Sequence, residues 1–240
     1  MAKELKKVQY YYDSHPTEED LMGETSWHND LIDYLKAVLR WLFRGQACAM
    51  YSDLNFYQTR NFREYPVVPD LAVIKGIAYR STRNWTLASG DPAPQVIFEI
   101  LSEETWKKDV YEKPSKYASM GVQEYFAYDP HEPPIRRGAP RLMGWRLNPQ
   151  RQEMVEMTAH HEGWLWSEQL ESWLVPDGAY LRLYDLDHQM RLTEAEAETQ
   201  RAEIADERAE AADERAEAAI RKAEALAEKL RSLGINPDEI

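Results

Sequence analysis

The sequence predicts a mixed α/β domain, its sheet of the α+β kind, followed by one long C-terminal helix. Three observations carry this. Short apolar runs that read as strands are interrupted by two helical patterns, in the order helix, strand, strand, strand, helix, strand, which is not a repeating βαβ unit. Beyond Asp129-Pro130 come further short strand-like runs, a β-rich extension. Past Leu192, prolines, aromatics and β-branched residues give way to alanine and charge, with no Pro or Gly until Gly234.

The first helix lies in TSWHNDLIDYLKAVLRWLF. Leu31, Leu35, Val38 and Leu42 share one face at three- and four-residue spacing, Thr25 or Ser26 is placed to cap the first turn, and Gly45 ends it. CAMYSDLNFYQT reads as the first strand, VVPDLAVI as the second, and residues 80–94 as a polar loop leading to the third, PQVIFEIL. EETWKKDVYEKPSKYASM is expected to be helical with Gly121 as its cap, and VQEYFAYDP is the fourth strand. LMGWRL, EMVEMT and YLRLYD form the extension.

The heptad ADERAEA then occurs twice in tandem, at 205–211 and 212–218. A seam with 3-4 spacing runs through Ala202, Ala205, Ala209, Ala212, Ala216, Ala219, Ala223, Leu226, Leu230 and Leu233. That is a coiled-coil pattern of about four heptads. Alanine buries little surface, so a single solvated helix of high intrinsic propensity also fits. Gly234 and Pro237 stop the helix. The expected organisation is a tail at 1–19, a globular domain at 20–190, a helical segment at 193–233 and a tail at 234–240.

The net charge of −13 argues against simple electrostatic binding of nucleic acid. It is unevenly spread: from residue 193 onward seven Lys and Arg face fourteen Asp and Glu, so the globular part is only mildly acidic. The lone Cys48 excludes an internal disulfide and a cysteine-based zinc site. No apolar run is long enough to span a membrane, and the N-terminus lacks the apolar stretch of a secretory signal, so a cytoplasmic location is expected. No GxSxG, Walker or Rossmann glycine pattern is present.

Two acids stand where strands should be apolar. In VIFEIL, Glu99 shares a strand face with Ile97 and Leu101; in the second strand, Asp70 shares one with Ala72 and Ile74. An unpaired buried carboxylate costs several kcal/mol or neutralises itself. If the two strands are neighbours, the carboxylates converge and repel unless a cation sits between them, and Mg²⁺ suits one or two carboxylates. An ion pair to arginine or a set of backbone amides would account for Asp70 alone; Glu99, with large apolar neighbours on both sides, is harder to account for that way.

VPDLAVI, then PQVIFEILSEETWKKD, EK, Y and GVQEYFAYDP, together resemble the Uma-type family of the PD-(D/E)XK nuclease superfamily. The likeness spans about residues 20 to 185, including GETSWHNDLIDYL, GWRL and LRLYD. It implies a restriction-endonuclease-like core in which Asp70, Glu99 and the carbonyl of Ile100 hold a divalent metal, Mg²⁺ or Mn²⁺. The superfamily's usual lysine position is occupied here by Leu101, and in the Uma-type pattern the lysine comes from the next helix, as Lys113. Asp109, four residues earlier, shares a helical face with Lys113 and either holds its head group or forms a surface ion pair.

Pro114 directly follows Lys113, so the helix is either kinked there or restarts at the proline; Lys107, Lys108 and Lys116 are substitutes. His28 falls where the family often has a histidine in the first helix, and is otherwise structural. Glu24 is an accessory metal ligand, a helix cap or an exposed side chain. His160-His161 lacks a convincing metal spacing, and Arg80 and Arg83 are candidates for phosphate contact or plain solvation.

The resemblance implies metal-dependent hydrolysis of phosphodiester bonds, with DNA as substrate and a homodimer or partner protein held through the coiled coil. Two other readings stay open: a nuclease-like fold without effective catalysis that acts as an interaction module, and a carboxylate-pair glycosidase needing neither lysine nor metal.

Overall fold

The computed structural model describes residues 26–61 and 65–234. Thr25, Glu24, the 1–19 tail and Pro237 lie outside the described residues. The chain divides after Thr193 into two units.

Among the described residues the first unit begins with α1, Ser26–Leu42, which closes through Gly45 at a φ of 78°. Leu31, Leu35 and Val38 are buried as the spacing predicts, Leu42 is half-buried, and Ile32 and Leu39 widen the apolar stripe. The first expected strand is in fact two. β1, Cys48–Tyr51, and β2, Asn55–Tyr57, are separated by a turn in which Asp53 has a φ of 52°. They enter different sheets, because the turn breaks the register between them.

The second strand also starts later than its apolar run. Val67 makes a two-bond bridge with Phe56 of β2, and only Leu71–Lys75 forms β3. The expected loop at 80–94 contains a short strand, β4, Asn84–Thr86, which pairs in parallel with β2. β5 is Val96–Ile100, and the following helical region is two helices, α2, Trp106–Tyr111, and α3, Lys113–Ser119. β6 is Glu124–Tyr128, β7 Leu142–Asn148 and β8 Glu153–Glu156. Then come β9, Leu165–Ser167, β10, Ser172–Asp177, and β11, Tyr180–Tyr184. β9 and β10 carry tryptophans and a proline among polar residues, so neither reads as a separate apolar run.

The central sheet has the order β1-β3-β5-β6-β7-β8. Only β5 and β6 are parallel, and the chain between them supplies α2 and α3. A sheet covered on both faces needs apolar side chains on both. One face, with Val73, Phe98, Ile100 and Phe126, packs against α1 and the leucines of the β9–β10–β11 sheet. The other, with Ala72, Ile74, Ile97, Tyr125 and Ala127, packs against Val110, Tyr117 and Met120 of the α2–α3 region and against Phe56 and Trp85. Gly144 in β7 is required by packing: a Cβ there would lie 2.8 Å from Leu165 Cδ1 and 3.0 Å from the Phe126 ring. The mixed α/β class and the long terminal helix are as the sequence predicts.

The second unit is α4, Glu194–Ser232, 39 residues long and at ~1.5 Å per residue about 58 Å in length. Most of it is exposed, including Leu226 and Leu233. No helix among the described residues is long and apolar enough to cross a membrane.

Candidate active site

The site is assembled where β3 begins and β5 ends. Leu71 pairs with Phe98 and Ala72 with Ile97, so one further step along this antiparallel register sets Asp70 opposite Glu99. Asp70 precedes the strand proper, which relieves the poor fit of Asp within one. Its Oδ2 accepts the backbone N–H of Ile100 at 2.6 Å, and its Oδ1 lies 3.5 Å from Nε2 of the buried His28 on α1. Ile100, the last residue of β5, is thereby tied to Asp70.

Glu99 is 2% exposed. Lys113 Nζ lies 2.7 Å from its Oε1, and the Tyr117 hydroxyl donates a short hydrogen bond to the same oxygen. The ammonium is equally 2.7 Å from Asp109 Oδ1, while Asp109 Oδ2 accepts from the Thr105 hydroxyl at 2.7 Å. The Tyr125 hydroxyl donates to the Asp109 backbone carbonyl at 2.8 Å.

Pro114 explains how Lys113 reaches the cluster. Lacking an N–H, the proline ends the α-helical ladder, and Lys113 becomes the first residue of α3 with Pro114 in its first turn, where a missing donor costs nothing. Glu112, at the junction, keeps near-helical angles of −107° and −46°. Asp109, Lys113 and Tyr117 therefore still stand on one face at four-residue intervals across the break. Lys107, Lys108 and Lys116 are exposed.

Electrostatics follow from crowding. The Glu99 carboxyl is raised to about 8, by burial first and then by Asp70 and Asp109, against the opposing pull of Lys113. For Lys113, burial opposes the charge, but Glu99, Asp109 and Asp70 outweigh it, so the ammonium is held protonated. Burial and then Glu99 raise Tyr117 well above its ordinary value, so its hydroxyl stays a donor. Three carboxyl groups thus meet one ammonium, and a divalent cation beside Asp70 and Glu99 would favour the ionised form of Glu99 that burial and its acidic neighbours oppose. Asp70 and Glu99, with the nearby Ile100 carbonyl, fit such an ion by donor type and by charge.

Tyr117 and Thr105 escaped the sequence reading. The 109/113/117 spacing was a usable signal for Tyr117; nothing in the sequence separates Thr105 from an ordinary polar residue. Arg80 pairs with Asp91 and lies over the Trp85 ring at 4.8 Å. His160, His161 and Glu162 have ligand atoms within 4.8 Å of one another, but all three are exposed and the two imidazoles are 3.0 Å from each other.

A second buried glutamate offers a control. Glu124 opens β6 and is 1% exposed. It accepts from Arg146 Nε and Nη2 at 3.2 and 3.1 Å, from the Ser167 hydroxyl, and from the backbone N–H groups of Glu168 and Gln169 at 2.9 and 3.2 Å.

The acid–lysine cluster thus lies at the end of two paired strands of the mixed sheet. The Uma2 family, described as "Putative restriction endonuclease", matches residues 7–211, and the chain belongs to that family. Among solved structures, it is similar to a "putative nuclease belonging to DUF820" from Anabaena variabilis ATCC 29413. The two share 14% identity over 62% of this chain and 76% of that one, with a TM-score of 0.44. No curated protein matches.

Proposed function

We propose that this nuclease-family chain hydrolyses phosphodiester bonds in DNA with the help of Mg²⁺ or Mn²⁺. The observation that carries the reading is Lys113 Nζ placed 2.7 Å from both Glu99 and Asp109, beside Asp70. Asp70, Glu99 and the Ile100 carbonyl would hold the cation. A bound divalent ion supplies positive charge to the scissile phosphate and lowers the pKa of water beside it.

The rest is the work of the chain. Asp109, anchored by Thr105, holds the Lys113 head group at Glu99. Lys113 orients the attacking water or stabilises the negative charge that develops on phosphorus oxygens in the transition state. Tyr117 fixes the Glu99 carboxylate through its hydroxyl, and His28 braces Asp70. A coiled coil formed by α4 joins two copies, which suits cutting two strands, and a cytoplasmic location belongs to the same reading.

The test is cleavage of plasmid, single-stranded DNA and RNA in Mg²⁺ or Mn²⁺ by wild type, Glu99→Ala and Lys113→Ala. The expected result is metal-dependent cutting of DNA by wild type alone. Equal cutting by Glu99→Ala would sink the proposal.

A further inference from the structure

The heptad register of α4 carries charges that the nuclease site does not use. With Ala202, Ala209, Ala216, Ala223 and Leu230 as a positions and Ala205, Ala212, Ala219, Leu226 and Leu233 as d positions, the flanking g positions are Arg201, Arg208, Arg215, Lys222 and Lys229. All five are basic. The e positions are Asp206, Asp213, Ile220 and Ala227, acidic and then apolar, never basic.

Within a single helix, charges find partners three or four residues away. Arg221 does so, lying 3.7 Å from Glu217. Arg201 has Glu198 three residues before it, but the other four g-position cations are different. Three and four residues to either side of Arg208 stand Ile204, Ala205, Ala211 and Ala212, and Arg215, Lys222 and Lys229 likewise have no acid at these spacings. Asp206 and Asp213 have only alanines and glutamates there. The helix keeps its g cations and e acids apart, although it is rich in both signs.

Resting on the coiled-coil reading above, we propose that α4 pairs with α4 of a second copy of this chain, parallel and in register. In that arrangement each g residue faces the e′ residue five positions later on the partner helix. Arg201 meets Asp206 and Arg208 meets Asp213 of the second copy, twice over by symmetry, and the stems of Arg215 and Lys222 lie over Ile220 and Ala227. An antiparallel pair would face g against g and e against e, cation on cation and acid on acid. Alanine at the seam lets the helices approach closely but contributes little burial, so charge decides the orientation and the exposed Leu226 and Leu233 add most of the apolar contact.

Sedimentation equilibrium of the full chain tests this with two charge-reversed variants, one carrying Asp206→Arg and Asp213→Arg, the other Arg201→Asp and Arg208→Asp. Wild type is expected to dimerise; each variant alone should dimerise at least ten-fold more weakly, and an equimolar mixture should recover wild-type association. Circular dichroism should show the helix retained in both. In a Cys48→Ser background, Ala202→Cys should form a disulfide-linked dimer under oxidation, since its thiols are adjacent in the parallel pair and far apart in the antiparallel one. A wild-type chain that stays monomeric overturns the coiled coil and this proposal together. Dimers that survive charge reversal, or that fail to cross-link through Ala202→Cys, overturn the parallel register and leave the coiled coil standing.

Discussion

Glu99 and Glu124 lie on adjacent, parallel strands and both are buried, yet they are held in opposite ways. Glu124 is enclosed by a serine hydroxyl, two backbone amides and Arg146, whose other Nη lies 2.7 Å from the exposed Glu168, so every contact it makes is to a donor. Glu99 shares its single strong cation with Asp109, and Asp70 lies across the strand pair. A buried acid that the fold has satisfied completely is a structural element. One left among other acids is held away from ionisation, and an external cation can supply the charge that ionises it. The pattern of an acid in an apolar strand does not by itself distinguish the two.

The largest separation should come from paired isosteric substitutions. Glu99→Gln is expected to lower DNA cleavage by about 100-fold or more, as loss of charge stabilisation in a water-poor site does, while leaving thermal stability unchanged or raised. Glu124→Gln should do the reverse. It keeps the shape but removes the charge facing Arg146, and should cost about 2 kcal/mol of stability in a denaturant titration, with cleavage per folded molecule near wild type. Gly144→Ala, on the structural side of the comparison, should destabilise by about 1–3 kcal/mol through overpacking against Leu165 and Phe126.

The pH dependence sharpens the contrast. In metal-free protein the folded Glu99 carboxyl titrates near 8 against an ordinary value of 4.5, so the folded state binds more protons through that window. Stability from this group is therefore greatest below 4.5 and falls as pH rises toward 8, with a limiting slope of about 1.4 kcal/mol per pH unit. Thermal melts at several pH values should show a decline that Glu99→Gln abolishes and Glu124→Gln does not. Smaller still, Tyr117→Phe should reduce cleavage several-fold by loosening Glu99. Lys107→Ala and Lys116→Ala should stay within about two-fold, because exposed charges of this kind contribute little.

Much of this arrangement was legible in the sequence, for identifiable reasons. Period-2 alternation put Glu99 with Ile97 and Leu101, and the structure packs both neighbours into one cluster with Ala72 and Ile74 from the Asp70 strand. The four-residue interval between Asp109 and Lys113 holds across the helix break because the junction residue, Glu112, stays near-helical. Glu124 went unremarked, although VQEYFAY poses the same question as VIFEIL, since its partners Ser167, Glu168 and Arg146 come from strands distant in the chain. The division of CAMYSDLNFYQT into two strands turned on a left-handed Asp53, a conformation that composition alone does not announce. β4 was hidden in a polar loop because its pairing with β2 depends on tertiary contact.

The central claim is that Asp70 and Glu99 together form a divalent-cation site and Glu124 does not. Direct titration with Mn²⁺, followed by the loss of the free-ion paramagnetic resonance signal, tests it without reference to activity. The account predicts one bound ion for wild type and for Glu124→Gln, and binding weakened at least ten-fold in Glu99→Gln. Equal binding by wild type and Glu99→Gln would contradict it.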